Sequence, residues 1–216
     1  VTVTVDADTV RQAAETLKRQ GTEAKEMIVD VRSEQSVVSV SVPARALADA
    51  GNTLEGAILT VKAGAVRYRL PADLIDVASV ADQLGVRAED VQLTVTIEKI
   101  SGADAEAIAA NVKAQGGQMI GDAYAFRLVA ESGDRRLEIS DFGKRYVSRT
   151  ITLPKTVSGD ATAVVVDPAT GEMTFVPALF ERDGESTTVT IKRTGNSIYA
   201  VVQLHKTFAD IEGHWA

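Results

Sequence analysis

Residues 38–50 read VSVSVPARALADA, and within this stretch the pattern changes from that of a strand to that of a helix. Its first five residues alternate between Val and Ser, which is the two-residue period of a strand that buries one face. Pro43 suits the first turn of a helix, where its missing N–H group has no partner to lose. Leu47 and Ala50 then follow at helical spacing. The stretch therefore predicts a strand that leads directly into a short amphipathic helix.

Two other segments align with this stretch without a gap. Residues 1–13 (VTVTVDADTVRQA) and residues 66–78 (VRYRLPADLIDVA) show the same change from alternation to helical spacing. A pattern that recurs in this way indicates a repeated structural unit. In the alignment, Val10, Leu47 and Ile75 occupy equivalent positions on the buried faces of three helices. We therefore expect a mixed sheet with three helices on one face, built on a threefold strand–helix repeat.

The pattern after residue 88 is mostly that of strands. Residues 91–100 alternate, and residues 104–115 form an Ala-rich helical segment that ends at Gly116. Seven further alternating segments are separated by Gly, Asp or Pro, at 123–130, 136–139, 146–153, 162–166, 172–176, 187–192 and 197–204. Short strands at such spacing are typical of an antiparallel β-sandwich. The predicted fold class is α+β, with an α/β repeat domain over residues 1–88 and a β-sandwich domain with one inserted helix over residues 89–205.

The composition excludes several classes of partner and of chemistry. The chain has 23 Lys and Arg residues against 30 Asp and Glu residues, a net charge of -7, and no long basic run. Nucleic acid and membrane surfaces are therefore not expected as partners. The chain contains no Cys, which excludes disulfides, zinc thiolates and a thiol nucleophile. No apolar run approaches the roughly 18 residues that a membrane-spanning helix needs.

The motifs of common enzyme classes do not occur in the sequence: a Gly-rich phosphate loop, Gly-x-Ser-x-Gly and His-Glu-x-x-His. The two histidines, His205 and His214, have no acidic cluster at ligand spacing around them. A calcium site in the turns is an alternative that would use four acidic residues beside glycines: Glu131, Asp134, Asp183 and Glu185. These four lack the regular Asp and Asn spacing of known calcium loops. We therefore expect no enzymatic activity, no cofactor and no metal.

The last residues of the chain carry a motif that points to a compartment. Residues 208–216 read FADIEGHWA, which resembles the opening of an S-layer homology repeat, the wall-anchoring module of Gram-positive surface proteins. Other motifs look like those of the module that precedes such repeats in Paenibacillus-type surface proteins: DFG at 141–143, YVSRTI at 146–151, VVDP at 165–168, FVP at 175–177 and NSIYAVV at 196–202. The resemblance covers roughly residues 38–216. It implies an extracellular location in the cell wall or S-layer, makes residues 206–216 the start of a truncated repeat, and implies no catalytic residues.

Two functions from different classes fit these patterns. The first is a non-catalytic structural or spacer module of a secreted, wall-anchored multidomain surface protein, whose partners are neighbouring domains of the same polypeptide. The alternative is a carbohydrate-binding module for cell-wall or substrate polysaccharide. An enzyme whose catalytic residues form no recognisable motif is a third interpretation. An exposed row of aromatic residues on one sheet face would favour the carbohydrate alternative.

The aromatic residues bear on that alternative because aromatic faces stack on sugar rings. Phe142, Tyr146 and Phe180 lie near turns and are the candidate glycan contacts. Five other aromatic residues lie at alternating positions and are expected in the core: Tyr68, Tyr124, Phe126, Phe175 and Tyr199. Lys192 and Asn196 flank a predicted hairpin turn. An intramolecular Lys–Asn or Lys–Asp crosslink is a further hypothesis, and it requires the Lys, the amide or acid and a catalytic carboxylate to be buried together.

Overall fold

The computed structural model describes residues 1–21, 23–157, 159–167 and 169–204. Within these residues the chain forms four α-helices: α1 (Ala7–Gln20), α2 (Ala44–Thr53), α3 (Val77–Leu84) and α4 (Gly102–Ala114). It also forms fifteen strands: β1 (Thr2–Thr4), β2 (Glu26–Val31), β3 (Val37–Pro43), β4 (Ile58–Ala63), β5 (Val66–Pro71), β6 (Gln92–Lys99), β7 (Gly117–Met119), β8 (Tyr124–Ser132), β9 (Arg135–Glu138), β10 (Val147–Leu153), β11 (Ala161–Val166), β12 (Met173–Val176), β13 (Ala178–Asp183), β14 (Ser186–Arg193) and β15 (Ile198–Leu204). No helix in the described part of the chain is long and apolar enough to span a membrane.

The strands form two mixed sheets. Sheet A has the order β1-β3-β6-β8-β15-β11-β12, with β7 also paired to β15 and β9 to β8. Sheet B has the order β13-β14-β10-β5-β4-β2. The pairs β1–β3 and β2–β4 are parallel, and the other strand pairs are antiparallel. The predicted α+β class is confirmed at this level, as two mixed sheets with four helices.

One apolar core includes inward-facing residues of both sheets. Val40 of β3 contributes from sheet A, while Val61 of β4 and Ile151 of β10 contribute from sheet B. Tyr68 of sheet B meets Phe126 of sheet A edge to face, with ring centroids 5.2 Å apart. Burial of one aliphatic side chain such as Val61 or Ile151 stabilises the fold by about 1.5–3 kcal/mol. The inward residues of the alternating strands therefore hold the two sheets together.

Helix α4 packs on the opposite face of sheet A. Its residues Ile108 and Val112 belong to a second apolar cluster with Val164 of β11 and Val202 of β15. The neighbouring residue Val201 belongs to the main core. Because successive side chains of a strand point to opposite faces, β11 and β15 are covered on both sides. This double burial explains the consecutive apolar residues of both strands, at 163–166 and 198–202, where the sequence analysis expected alternation.

The first two predicted repeat units lie side by side. β1 pairs with β3, and Val3 lies opposite Val40, the residue with which it aligns in the sequence. The strand of the third unit, β5, belongs to sheet B instead. The three units therefore do not share one sheet, and the threefold repeat is not confirmed.

The third helix begins later than the alignment predicts. Helix α3 begins at Val77 because Asp76 caps it: the Asp76 carboxylate accepts hydrogen bonds from two N–H groups of the first turn, at 3.1 and 3.2 Å. Ile75 therefore precedes the helix and is half-buried. Val10 in α1 and Leu47 in α2 are buried. The expected equivalence of the three helical positions holds for two of them.

Strands from both sides of residue 88 share each sheet. In sheet A, β3 pairs with β6 from Val37 to Pro43, and in sheet B, β5 pairs with β10. Residue 88 is therefore not a boundary between separate sheets. The sandwich predicted for residues 89–205 is not confirmed, because its strands are divided between sheets A and B. The segment 206–216 lies outside the described residues.

Candidate functional site

The outer face of sheet B, which points away from the core, is polar. On β10, Ser148 and Thr150 point outward because side chains alternate along a strand and the inward positions are buried. The outward residues of the neighbouring strands are Thr190 and Lys192 on β14, and Arg67 and Arg69 on β5. All of them are exposed or half-buried. This face therefore carries a strip of hydroxyl groups with cationic side chains on either side.

An open groove of about 780 Å³ runs over this face. Two cross-strand pairs contribute to its lining: Leu179 lies opposite Thr190, and Lys192 lies opposite Ser148. Tyr146, which directly precedes β10, also lines the groove and is 66% exposed. The volume lies in the range of about 300–1,000 Å³ that is usual for ligand pockets. The groove combines an exposed aromatic ring, an exposed aliphatic side chain and several polar groups.

The three candidate glycan contacts do not lie together. Phe142 is buried in the main core, and its N–H donates to the Thr194 carbonyl at 2.6 Å. Phe180 is half-buried against the core, because it alternates with the outward-facing Leu179 along β13. The structure thus places Tyr146 in the groove and the other two aromatic residues against the core. Proximity to a turn did not reveal which face each ring would occupy.

The aromatic residues that were expected in the core divide in a similar way. Tyr68, Phe126 and Tyr199 are buried, and Tyr124 is half-buried. Phe175 is 49% exposed. It lies on β12, which is the last strand on one side of sheet A, and the expected core position is wrong for this residue.

The strip of hydroxyl groups contains polar atoms that the chain leaves unpaired. In the described residues, Ser148 Oγ and Thr150 Oγ1 are covered by other atoms yet have no hydrogen-bond partner. Arg69 forms an ion pair with Glu26, and the distance from Arg69 Nε to Glu26 Oε1 is 3.1 Å. The hydrogen on Nε is not directed at that oxygen, so this nitrogen has no hydrogen-bond partner. An unpaired buried polar group costs about 1–3 kcal/mol. Folded proteins keep few such groups, and here three lie on neighbouring strands of one face.

Arg149 lies on the opposite side of the same strand and is fully buried. Its guanidinium carbon lies 5.1 Å from the ring centroid of Tyr68, 5.5 Å from that of Phe126 and 4.8 Å from that of Tyr199. A cation over an aromatic face is stabilised by about 2 kcal/mol or more when water is excluded. The three rings come from β5, β8 and β15, so Arg149 connects sheet B to sheet A.

The hydrogen bonds of Arg149 all end on neutral oxygens. It donates to the carbonyl groups of Val147 at 3.1 Å and Gly195 at 2.8 Å, and to Asn196 Oδ1 at 2.6 Å. Tyr68 donates its hydroxyl proton to the same Asn196 oxygen at 2.5 Å. Burial raises the pKa of Tyr68 to about 12, so this hydroxyl stays protonated at neutral pH. No carboxylate pairs with Arg149 in the described part of the chain, and its Nε atom has no partner there.

Sequence reasoning did not identify Arg149. The available signal was its position in residues 146–153, where it takes the inward place between Val147 and Ile151. A charged residue at an inward position of an alternating strand indicates either an ion pair or a special environment. Here the environment is a set of three aromatic rings.

The crosslink hypothesis placed Lys192 and Asn196 together, and the structure separates them. Lys192 is exposed on the outer face of sheet B. The Asn196 amide instead bonds to Tyr68 and Arg149, and it donates to the Ile139 carbonyl at 3.1 Å. Two side chains in such different surroundings do not have the geometry for an amide bond.

His205 and His214 lie outside the described residues. Among the described residues, no three His, Asp or Glu side chains come together where a metal ion could bind. No protein-family model matches the chain, and no curated protein matches it either.

Proposed function

We propose that the chain is a non-catalytic structural module of a secreted, wall-anchored surface protein and that it spaces the neighbouring domains of the same polypeptide. The position of β15 carries this proposal. β15 pairs with β11 along one edge and with β8 and β7 along the other, and Tyr199 and Val201 anchor it in the core. The chain runs from this strand directly into residues 206–216, whose sequence resembles an anchoring repeat.

A strand that is paired on both edges is well suited to carry a load. Its removal requires the hydrogen bonds to three other strands to break and its inward side chains to leave the core. An edge strand would lose half as many bonds. This arrangement supports a load-bearing role for the end of the chain that leads to the sequence resembling an anchoring repeat.

The location is tested by surface proteolysis of intact cells that express the native protein. An antibody against this chain should detect it before protease treatment and lose the signal afterwards, while a cytoplasmic marker persists. Protection of the chain together with the cytoplasmic marker would refute an extracellular location.

We also propose that residues 1–88 keep the trace of a threefold strand–helix unit and that the two sheets form a sandwich-like pair. The pairing of Val3 with Val40 supports the first statement. The contact between Tyr68 and Phe126 across the core supports the second. In this interpretation the third unit moved to the other sheet, where β5 pairs with β10.

A carbohydrate-binding module is the second candidate, and the exposed Tyr146 in the groove of sheet B favours it. A glycan array probed with the intact chain and with Tyr146→Ala tests this function. We expect the substitution to abolish binding because it removes the one aromatic stacking surface among the described residues that line the groove. Failure of the intact chain to bind any glycan would contradict this candidate and leave the structural proposal standing.

A further inference from the structure

We infer that the groove of sheet B binds a carboxylate-bearing polysaccharide, with Tyr146 stacked on a sugar ring and Lys192 paired to a carboxylate. Arg67, which lies beside the groove on the same face, opposite Thr150, pairs with a second carboxylate. This inference rests on the proposed carbohydrate-binding function and names the class of its ligand. Three independent observations support it: the balance of charges on the face, the buried charge beneath it, and the polar atoms that remain unpaired.

The first observation is the set of charges on the outer face. Lys192 and Arg67 form no ion pair with any residue that the structure describes. The other two cations of the face have acidic partners, as Arg69 lies 3.1 Å from Glu26 and Lys62 lies 3.0 Å from Asp30. Two cations are therefore available to a ligand, although the chain as a whole has a net charge of -7. A local excess of positive charge is complementary to an anionic ligand.

The lining also contains one opposing charge. Glu181 is the carboxylate among the described lining residues, and it lies on the edge strand β13. In the strand pairing, Glu181 lies opposite Thr188, whereas Lys192 lies opposite Ser148. The cationic groups thus lie over β14 and β5, on either side of β10, and Glu181 lies at the margin. We expect the ligand chain to lie over β10.

The second observation is the unpaired charge of Arg149. Its position in the strand is between Ser148 and Thr150, and its side chain points to the inner side of sheet B, so its charge lies in the core behind this part of the face. No described carboxylate neutralises it, and the surrounding rings and apolar side chains screen it less than water would. A buried cation of this kind makes the electrostatic potential above β10 more positive. It adds to the attraction by Lys192 and Arg67.

The third observation is the unpaired oxygens of Ser148 and Thr150. A polysaccharide presents many hydroxyl groups, which can donate to these oxygens and accept from them. Since both oxygens are covered, a ligand reaches them after the side chains above have moved.

The test compares two polymers that differ in charge and share a backbone. Calorimetric titration of the full chain with polygalacturonate should show binding at least tenfold tighter than titration with fully methyl-esterified polygalacturonate. Polyglutamate serves as a polyanion without sugar rings and should bind at least tenfold more weakly than polygalacturonate. Added salt should weaken the binding of polygalacturonate, because part of the attraction is between charges.

Variants assign the binding to this groove. Tyr146→Ala should lower the affinity for both sugar polymers. Lys192→Gln, Arg67→Gln and Arg149→Met should each lower the affinity for polygalacturonate by roughly threefold to tenfold and leave the esterified polymer unaffected. Arg19→Gln, which removes an exposed cation on α1, is the matched control and should change neither affinity.

The outcomes separate this inference from the function on which it rests. Equal affinity for the two sugar polymers overturns the carboxylate assignment and leaves carbohydrate binding intact. No binding of polygalacturonate also overturns the assignment, and the glycan array then decides the broader function. Tight binding of polyglutamate, or unchanged binding by Tyr146→Ala, would show non-specific charge attraction and overturns the inference.

Discussion

Replacement of Arg149 separates the contribution of its volume from that of its charge. The side chain is fully buried, contacts three rings at 4.8 to 5.5 Å and donates to three oxygens. Arg149→Ala removes both volume and charge. Arg149→Met keeps a long side chain in the same space and removes the charge alone. We therefore expect the two variants to differ greatly in stability.

The magnitudes follow from the contacts. Truncation of a large buried side chain to Ala costs about 3–5 kcal/mol. For Arg149→Met, the lost contacts with rings and oxygens are opposed by the desolvation cost of a buried ion, and replacement of buried charged groups by apolar side chains of similar volume is often close to neutral. Two of the three acceptors also keep a donor, because Tyr199 still bonds to Gly195 and Tyr68 to Asn196. We expect Arg149→Met to lose less than about 1.5 kcal/mol.

Urea denaturation followed by circular dichroism measures both losses as free energies of unfolding. Arg19→Met, at an exposed position, is the control and should change stability by less than about 0.5 kcal/mol. A loss above about 3 kcal/mol for Arg149→Met would refute the reasoning, since it would mean that the buried charge itself stabilises the fold.

Three further predictions concern the core, its pH dependence and the extent of the folding unit. Leu47→Ala should lower the free energy of unfolding by about 2–5 kcal/mol, because it leaves a cavity in the core. Arg45→Ala, at an exposed ion pair, should lower it by less than about 0.5 kcal/mol. Equal denaturation midpoints for the two variants would contradict the helix assignment. The folded pKa of Tyr68 is raised from 10.0 to about 12, so the stability that its protonated hydroxyl provides is complete below pH 10 and is lost as the pH rises to about 12. Tyr68→Phe should unfold over a higher pH range, and an unchanged alkaline transition would exclude Tyr68 as its cause. Residues 1–88 alone should lack a cooperative thermal transition, because β3 and β5 lose their partners β6 and β10; a cooperative melt of this fragment would show that it folds independently.

The local structure could be predicted from the sequence because most strands have one buried face. Alternation placed a strand at 91–100, and β6 covers Gln92–Lys99. It placed another at 187–192, and β14 covers Ser186–Arg193. The strand β13 was not predicted, since its residues Glu181, Arg182 and Asp183 are all exposed and show no alternation. An edge strand has too few buried positions to impose a pattern.

The arrangement of the strands could not be predicted in the same way. The pairs β3–β6 and β5–β10 join residues that are far apart in the chain, and a two-residue period says nothing about which strand is the neighbour. The candidate site depends on this information. Tyr146 was recognised from its residue type, but its proximity to Lys192 and Leu179 follows from the register of β10, β13 and β14.

The ends of the two sheets affect how copies of this protein behave at high concentration. The strands that end the main paths are short or charged: β1 has 3 residues, β12 has 4, β13 carries Glu181, Arg182 and Asp183, and β2 carries Glu26 and Asp30. Short and charged edges discourage a strand of another chain from extending the sheet. Crowded copies should therefore resist fibre formation through edge-to-edge addition. Any ordered lattice of such molecules would have to use contacts between faces or loops.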